Sequence, residues 1–117
     1  MGGIIMQSQL LSEMSNKKLQ DEMRRCQNSA KIAIENGVTN EYQVYEQRYF
    51  LAKSYLTDPA NIEAGITYGI ETTTDLFIVD YLDGIMAYGK VLGTKENRAF
   101  PIGKLVPLDF SRDSQHP

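Results

Sequence analysis

Residues 76–92, LFIVDYLDGIMAYGKVL, contain two β-rich runs on either side of Asp83-Gly84. An Asp-Gly pair between such runs is a strong hairpin signal, because a two-residue loop of this kind needs positive φ and Gly takes it without strain. A loop at Asp83-Gly84 predicts a register with Leu82 opposite Ile85, Tyr81 opposite Met86, Val79 opposite Tyr88 and Phe77 opposite Lys90. Opposed residues share a face. Phe77, Val79, Tyr81, Met86 and Tyr88 are therefore expected on the core side, with Asp80 on the other.

Upstream, the apolar period is helical. Ser15 reads as an N-cap, with Met14 and Leu19 at the two positions of a hydrophobic staple. Leu19, Met23, Cys26, Ala30 and Ala33 then fall on one narrow stripe that stops at Asn36-Gly37. Thr39 or Asn40 is expected to cap a second helix, whose stripe of Tyr42, Tyr45, Tyr49, Ala52 and Leu56 ends at Asp58-Pro59. The short connection favours antiparallel neighbours, so residues 15–58 read as a helical hairpin. Residues 1–14 read as a peripheral segment and 109–117 as a flexible tail.

From Gly65 the period becomes two. Short strands are expected at 66–71, along both arms of the hairpin, at 99–102 and near 105–108, with Pro101 marking an edge or bulge. That many short strands over residues 65–108 suggests a small barrel or strongly twisted sheet. A β unit of that size with no staple is near the lower limit of independent stability. One α+β domain is therefore expected, with the helical hairpin packed on the barrel.

The charge is uneven: residues 1–58 carry seven basic and seven acidic side chains, whereas 59–117 carry five and eight. An acidic β half argues against its gripping a phosphate backbone, which is bound through Lys and Arg. With one cysteine, Cys26, and one histidine, His116, neither an intramolecular disulfide nor a Cys/His metal site can be built. No secretory signal or membrane-length apolar run is present, so a cytoplasmic protein is expected.

Gly84 to Lys90 matches the spacing GxxxxGK, but Val91 stands where a phosphate loop needs Ser or Thr, and the residues alternate as a strand. Carboxylates are scattered and form no acid–base pair, so no catalytic residue, cofactor or metal ligand is assigned. Tyr42, Tyr45, Tyr49, Tyr55 and Tyr68 are the candidates for a groove between helices and barrel that takes a protein partner. Lys17, Arg24 and Lys31, at seven-residue steps opposite the first helix's stripe, form the alternative face for nucleic acid, diluted by Asp21 and Glu35. Self-association through the second helix is a further expectation.

The segments NGVTNEYQVYEQRYFLAKSYLTDP, GITYGIE, YLDGIMAYG and FPIGKL, in that order, resemble the YfhH-like family of small uncharacterised bacterial proteins. The resemblance spans about residues 14–108 and implies a helical hairpin followed by an SH3-like β-barrel. A transcriptional-regulator label accompanies the family without an established mechanism. No site residue comes with it. The sequence expectation is thus a non-enzymatic interaction module with its partner near the helix–barrel junction, or a nucleic-acid-associated regulator.

Overall fold

The computed structural model describes residues 10–108; the expectations for 1–9 and 109–117 lie outside the described residues. The chain divides into two compact units, one ending at Asp58 and the next beginning at Pro59.

In the first unit, Leu11–Glu13 form a 3-10 turn that leads into helix α1 (Asn16–Glu35), and helix α2 spans Thr39–Leu56. The Ser15 side chain caps α1 by accepting the Lys18 N–H at 3.2 Å. At the other end the Val38 N–H donates to Ala33 O (2.8 Å) and the Gly37 N–H to Ile34 O (3.2 Å), the two bonds of a Schellman stop. Val38 then occupies the N-cap of α2 itself, its carbonyl accepting the Tyr42 N–H, with no side-chain cap. Thr39 and Asn40 are thus already helical, a correction to the expected cap. The stop and the start share one residue, so the connection has no room for a separate capping residue. So tight a link makes the helices antiparallel. Leu11, Leu19 and Ala52 form their buried centre, with Met14, Met23, Leu51 and Leu56 packed around it. Residues 10–14, expected as part of a peripheral segment, therefore carry a core side chain, Leu11.

The second unit is a five-stranded antiparallel sheet: β1 (Thr67–Ile70), β2 (Leu76–Asp83), β3 (Met86–Val91), β4 (Asn97–Pro101) and β5 (Leu105–Pro107). The order is β4-β3-β2-β1-β5, and a 3-10 turn, Ile102–Lys104, carries the chain from one edge to the other. Its core is Phe77, Val79, Ala87, Val91, Phe100, Ile102 and Leu105, joined by Ile62, Tyr68 and Ile70. The described chain is thus α+β, two helices and an antiparallel sheet.

The hairpin forms, in a different register. Asp83 pairs with Met86, Leu82 with Ala87 and Tyr81 with Tyr88, so the loop is Gly84-Ile85. Gly84 alone of these two has positive φ, +62°, the pattern of a loop with Gly at its first central position. The register then shifts between Val79 and Tyr81, beyond which Val79 pairs with Gly89 and Phe77 with Val91. This bulge separates the expected core face into two parts. Phe77 and Val79 stay buried, whereas Tyr81 is exposed and Met86 and Tyr88 are only half-buried. Ala87, Gly89 and Val91 supply the core side of β3 in their place. One inserted residue reverses which alternating side chains face the core.

Candidate functional site

The bulge creates the surface of interest. Val79 N–H and C=O are both committed to the segment entering β1, donating to Ile66 O (3.1 Å) and accepting from Gly65 N–H (2.7 Å). Asp80 is the residue left over, and it lets Tyr81 face outward beside its cross-strand neighbour Tyr88. The two rings stack with centroids 5.0 Å apart and planes 8° from parallel. Tyr81 keeps 56% of its surface exposed. Such a pair is worth about 0.5–1.5 kcal/mol beyond area burial, yet it leaves ring faces open to solvent.

Around the pair the sheet is polar and shallow. Lys90 Nζ lies 3.6 Å from Asp80 Oδ2. On β4, Ala99 stands opposite Tyr88 and Asn97 opposite Lys90. Arg98, one residue out of phase, has its guanidinium carbon 5.1 Å from the Phe100 ring centroid instead. The result is an open groove of about 430 Å³ across β2, β3 and β4, within the range of about 300–1,000 Å³ usual for ligand clefts.

Gly84 and Lys90, which matched a phosphate-loop spacing, belong to a turn and to an ion pair. Gly89 between them is a core position. A Cβ there would fall 2.0 Å from Ile78 O and 3.0 Å from Phe77 Cζ.

The tyrosines named from the sequence divide between the units. Tyr42, Tyr45 and Tyr49 are half-buried along α2 and Tyr55 is exposed. The Tyr42 hydroxyl donates to Glu46 at 2.7 Å, which raises its pKa. Tyr68 is a core residue, 4% exposed, whose hydroxyl accepts the Glu63 N–H at 2.8 Å and donates to Asn61 O at 3.4 Å. It fixes the loop ahead of β1 and offers no surface. Lys17, Arg24 and Lys31 are all exposed on α1, but Asp21 sits 3.7 Å from Lys17 and 3.1 Å from Arg24. Sequence reasoning missed Tyr81 and Tyr88 as surface residues, and Asn97 and Ala99 altogether. The signals were Asp80-Tyr81 breaking an apolar alternation, and a lone glycine inside a strand, which marks a bulge or a close approach.

The helical unit holds its own charged cluster. Arg25 donates to Glu22 through Nε (3.0 Å) and Nη2 (2.6 Å), and Arg48 from α2 donates to the same carboxylate. Arg25, then Arg48, hold the Glu22 carboxyl at about 2 rather than 4.5, against the opposing pull of burial. Cys26 beside it is buried, and that burial pushes its thiol pKa up. A depressed carboxyl stabilises the fold above its unfolded pKa, and that stability is lost as pH falls through the folded value. A tenfold change in proton affinity corresponds to about 1.4 kcal/mol. Arg25 is half exposed, so solvent screening leaves about 2 kcal/mol for the cluster. Urea melts should show the parent losing this extra stability between pH 4.5 and 2, with Glu22→Gln flatter over that window. Parallel curves would refute the link.

Among the described residues, no group of three or more His, Cys, Asp or Glu could hold a metal, and no helix is long and apolar enough to cross a membrane. A family model described as "Protein of unknown function (DUF1811)" matches residues 9–106. The chain is also 34% identical over 95 residues to the "Uncharacterized protein YfhH" of Bacillus subtilis (strain 168), covering 80% of this chain and 91% of that protein. With most of its length matched on both counts, the chain belongs to the DUF1811 family of YfhH-like proteins.

Proposed function

We propose that this chain is a non-enzymatic interaction module that binds a protein partner through the outer face of β2, β3 and β4. The observation that supports the reading is the stacked Tyr81–Tyr88 pair, held outward by a bulge at the centre of an open groove. Tyrosine supplies large amphipathic contact area at little conformational-entropy loss, which is why it is enriched at interfaces. Bulges recur where a fold re-aims a side chain for use. The meander, with a 3-10 turn between its last two strands and β1 joining β2 to β5, also supports an SH3-like small barrel. In this reading the barrel displays the tyrosines and performs no chemistry.

A regulator acting on nucleic acid through Lys17, Arg24 and Lys31 has less support, because Asp21 pairs with the first two and offsets one of their two charges. One comparison separates the readings. Tagged parent, Tyr81→Ser/Tyr88→Ser and Arg24→Glu/Lys31→Glu chains are purified from the cells that make them, and co-purifying proteins and nucleic acids are quantified. The tyrosine variant should lose its specific protein partners while remaining folded, and the charge-reversed variant should keep them. Retention by the first with loss by the second would overturn the proposal.

A further inference from the structure

The open edge of the sheet says how a partner is held and what charge it brings. We infer that β4 takes an acidic, extended segment of a protein partner as an added strand, an inference that rests on the binding-module reading above.

Backbone bonding sets the place. β4 ends the strand order, with β3 on one side and no strand on the other among the described residues. The Ile102 N–H donates to Ile85 O at 2.8 Å, and these two residues extend the register in which Phe100 faces Ala87 and Arg98 faces Gly89. Antiparallel ladders alternate, so Phe100 and Arg98 direct their backbone groups at β3, whereas Asn97, Ala99 and Pro101 direct theirs outward. Pro101 thus falls where a missing N–H costs the ladder nothing. Asn97 and Ala99, both exposed, each leave an N–H and a C=O along the edge, the groups that strand addition uses.

Charge sets the occupant. Residues 95–104 carry three basic side chains, Lys95, Arg98 and Lys104, and one acidic, Glu96; the rest of residues 59–117 carries two basic and seven acidic. The basic groups of this half are gathered around its open edge. Lys90, one strand in, is paired with Asp80 at 3.6 Å. Arg98 is exposed, has no carboxylate partner among the described residues, and holds its guanidinium carbon 5.1 Å from the Phe100 ring centroid. Such stacking limits the orientations of the group and leaves its N–H fork for a carboxylate. A second copy is the wrong occupant. Two β4 strands paired about Ala99 would set the Arg98 side chains of the copies diagonally opposite each other, like charge against like.

The tyrosine pair adds the neighbouring requirement. Tyr81, Tyr88 and Ala99 are successive members of one cross-strand row, which ends at the edge with Ala99. An apolar residue of the added strand opposite Ala99 continues that row, and its chain neighbour, on the other face, meets Arg98. The expected segment therefore carries Asp or Glu beside an apolar or aromatic residue.

The test is selection of a random 12-residue peptide library on the intact chain, with titration of the enriched peptide as a fluorescent conjugate. Enriched sequences should pair Asp or Glu with an apolar neighbour and be poor in Lys and Arg. Single N-methylation along the peptide should weaken binding at alternate positions, about tenfold or more where an amide faces β4. Ala99→Pro removes an outward donor at an edge position where a sheet tolerates proline, and should weaken the conjugate to a similar extent. The N-methyl series is read on the parent chain, so it decides even if Ala99→Pro fails to fold. Selection on Arg98→Glu should shift toward Lys and Arg. Binding that needs Tyr81 and Tyr88 but ignores both N-methylation and Ala99→Pro would overturn strand addition and leave the outer-face reading standing. No acidic enrichment on the parent would overturn the inference, while the co-purification above still decides the binding-module reading. Concentration-dependent dimers in light scattering, abolished by Ala99→Pro, would give the edge to a second copy and overturn it as well. Tighter, Arg98-dependent binding of a labelled 15-nucleotide oligothymidylate that also needs Tyr81 and Tyr88 would overturn both readings.

Discussion

Gly89→Ala is expected to unfold most of the sheet unit, a loss of at least about 3 kcal/mol and beyond the usual range for overpacking. The added Cβ would sit 2.0 Å from the Ile78 carbonyl oxygen, far inside van der Waals contact. That atom belongs to backbone held in the β1–β2 and β2–β3 ladders, so it cannot swing away as the end of a flexible side chain would. Two other glycines give an internal scale. Gly69→Ala meets its nearest neighbours at 3.7 Å, ordinary contact, and should change little. Gly84→Ala meets open space but must hold φ near +62°, a strain of about 1–2 kcal/mol. Urea denaturation of the three variants should therefore rank Gly89 far above Gly84, and Gly84 above Gly69. Comparable effects at Gly89 and Gly69 would contradict the packing described.

Phe77→Ala should approach that loss, at about 3–5 kcal/mol by the range for emptying a buried aromatic site. Phe77 is fully buried and meets Phe100 edge-on, with centroids 5.0 Å apart and planes at 86°. The hole would open at the centre of a core of ten buried residues, too small a core to close over it. Folded domains are stable by only about 5–15 kcal/mol in total, so either change removes a large share. The two sites also couple, because the Phe77 ring is one of the atoms a Gly89 Cβ would strike. The double variant should be less destabilised than the sum by about 0.5–1.5 kcal/mol. Full rescue is not expected, since the Ile78 carbonyl remains in place. Strict additivity would mean that Phe77 and Gly89 do not face each other across the hairpin.

The sequence was most informative where local rules act alone. The Ser15 cap, the stop at Asn36-Gly37 and the break ahead of Asp58-Pro59 follow from local rules, a side chain capping its own backbone, a glycine closing main-chain bonds and a proline without an N–H, and all three stand in the structure. The strands were legible for the same reason, from period and punctuation. The face of the hairpin was not. A turn at Asp83-Gly84 and one at Gly84-Ile85 use the same glycine, so composition does not choose between them. The choice alone would have left Tyr81, Met86 and Tyr88 on a shared face with each other. It was the bulge at Asp80 that turned that face away from Phe77 and Val79, and a bulge is set by pairing with a third strand, through Val79 to Gly65 and Ile66. Alternation within two strands marks the break at Asp80-Tyr81 but does not name the third partner that sets it. The candidate site was hidden by this one residue, which is why Tyr81 and Tyr88 read as core while Tyr68, a true core residue, read as surface.

The binding face can be examined directly by placing a photo-crosslinking residue at Glu96, exposed in the loop that leads into β4 beside Asn97, and at Lys31 on α1 as a reference. Irradiated in the cells that make it, the Glu96 chain should form a discrete adduct with a protein. That adduct should disappear when Tyr81 and Tyr88 are both changed to Ser, and the Lys31 chain should not form it. An adduct that forms from Lys31 and survives loss of both tyrosines would contradict the assignment of the outer sheet face as the site of partner binding.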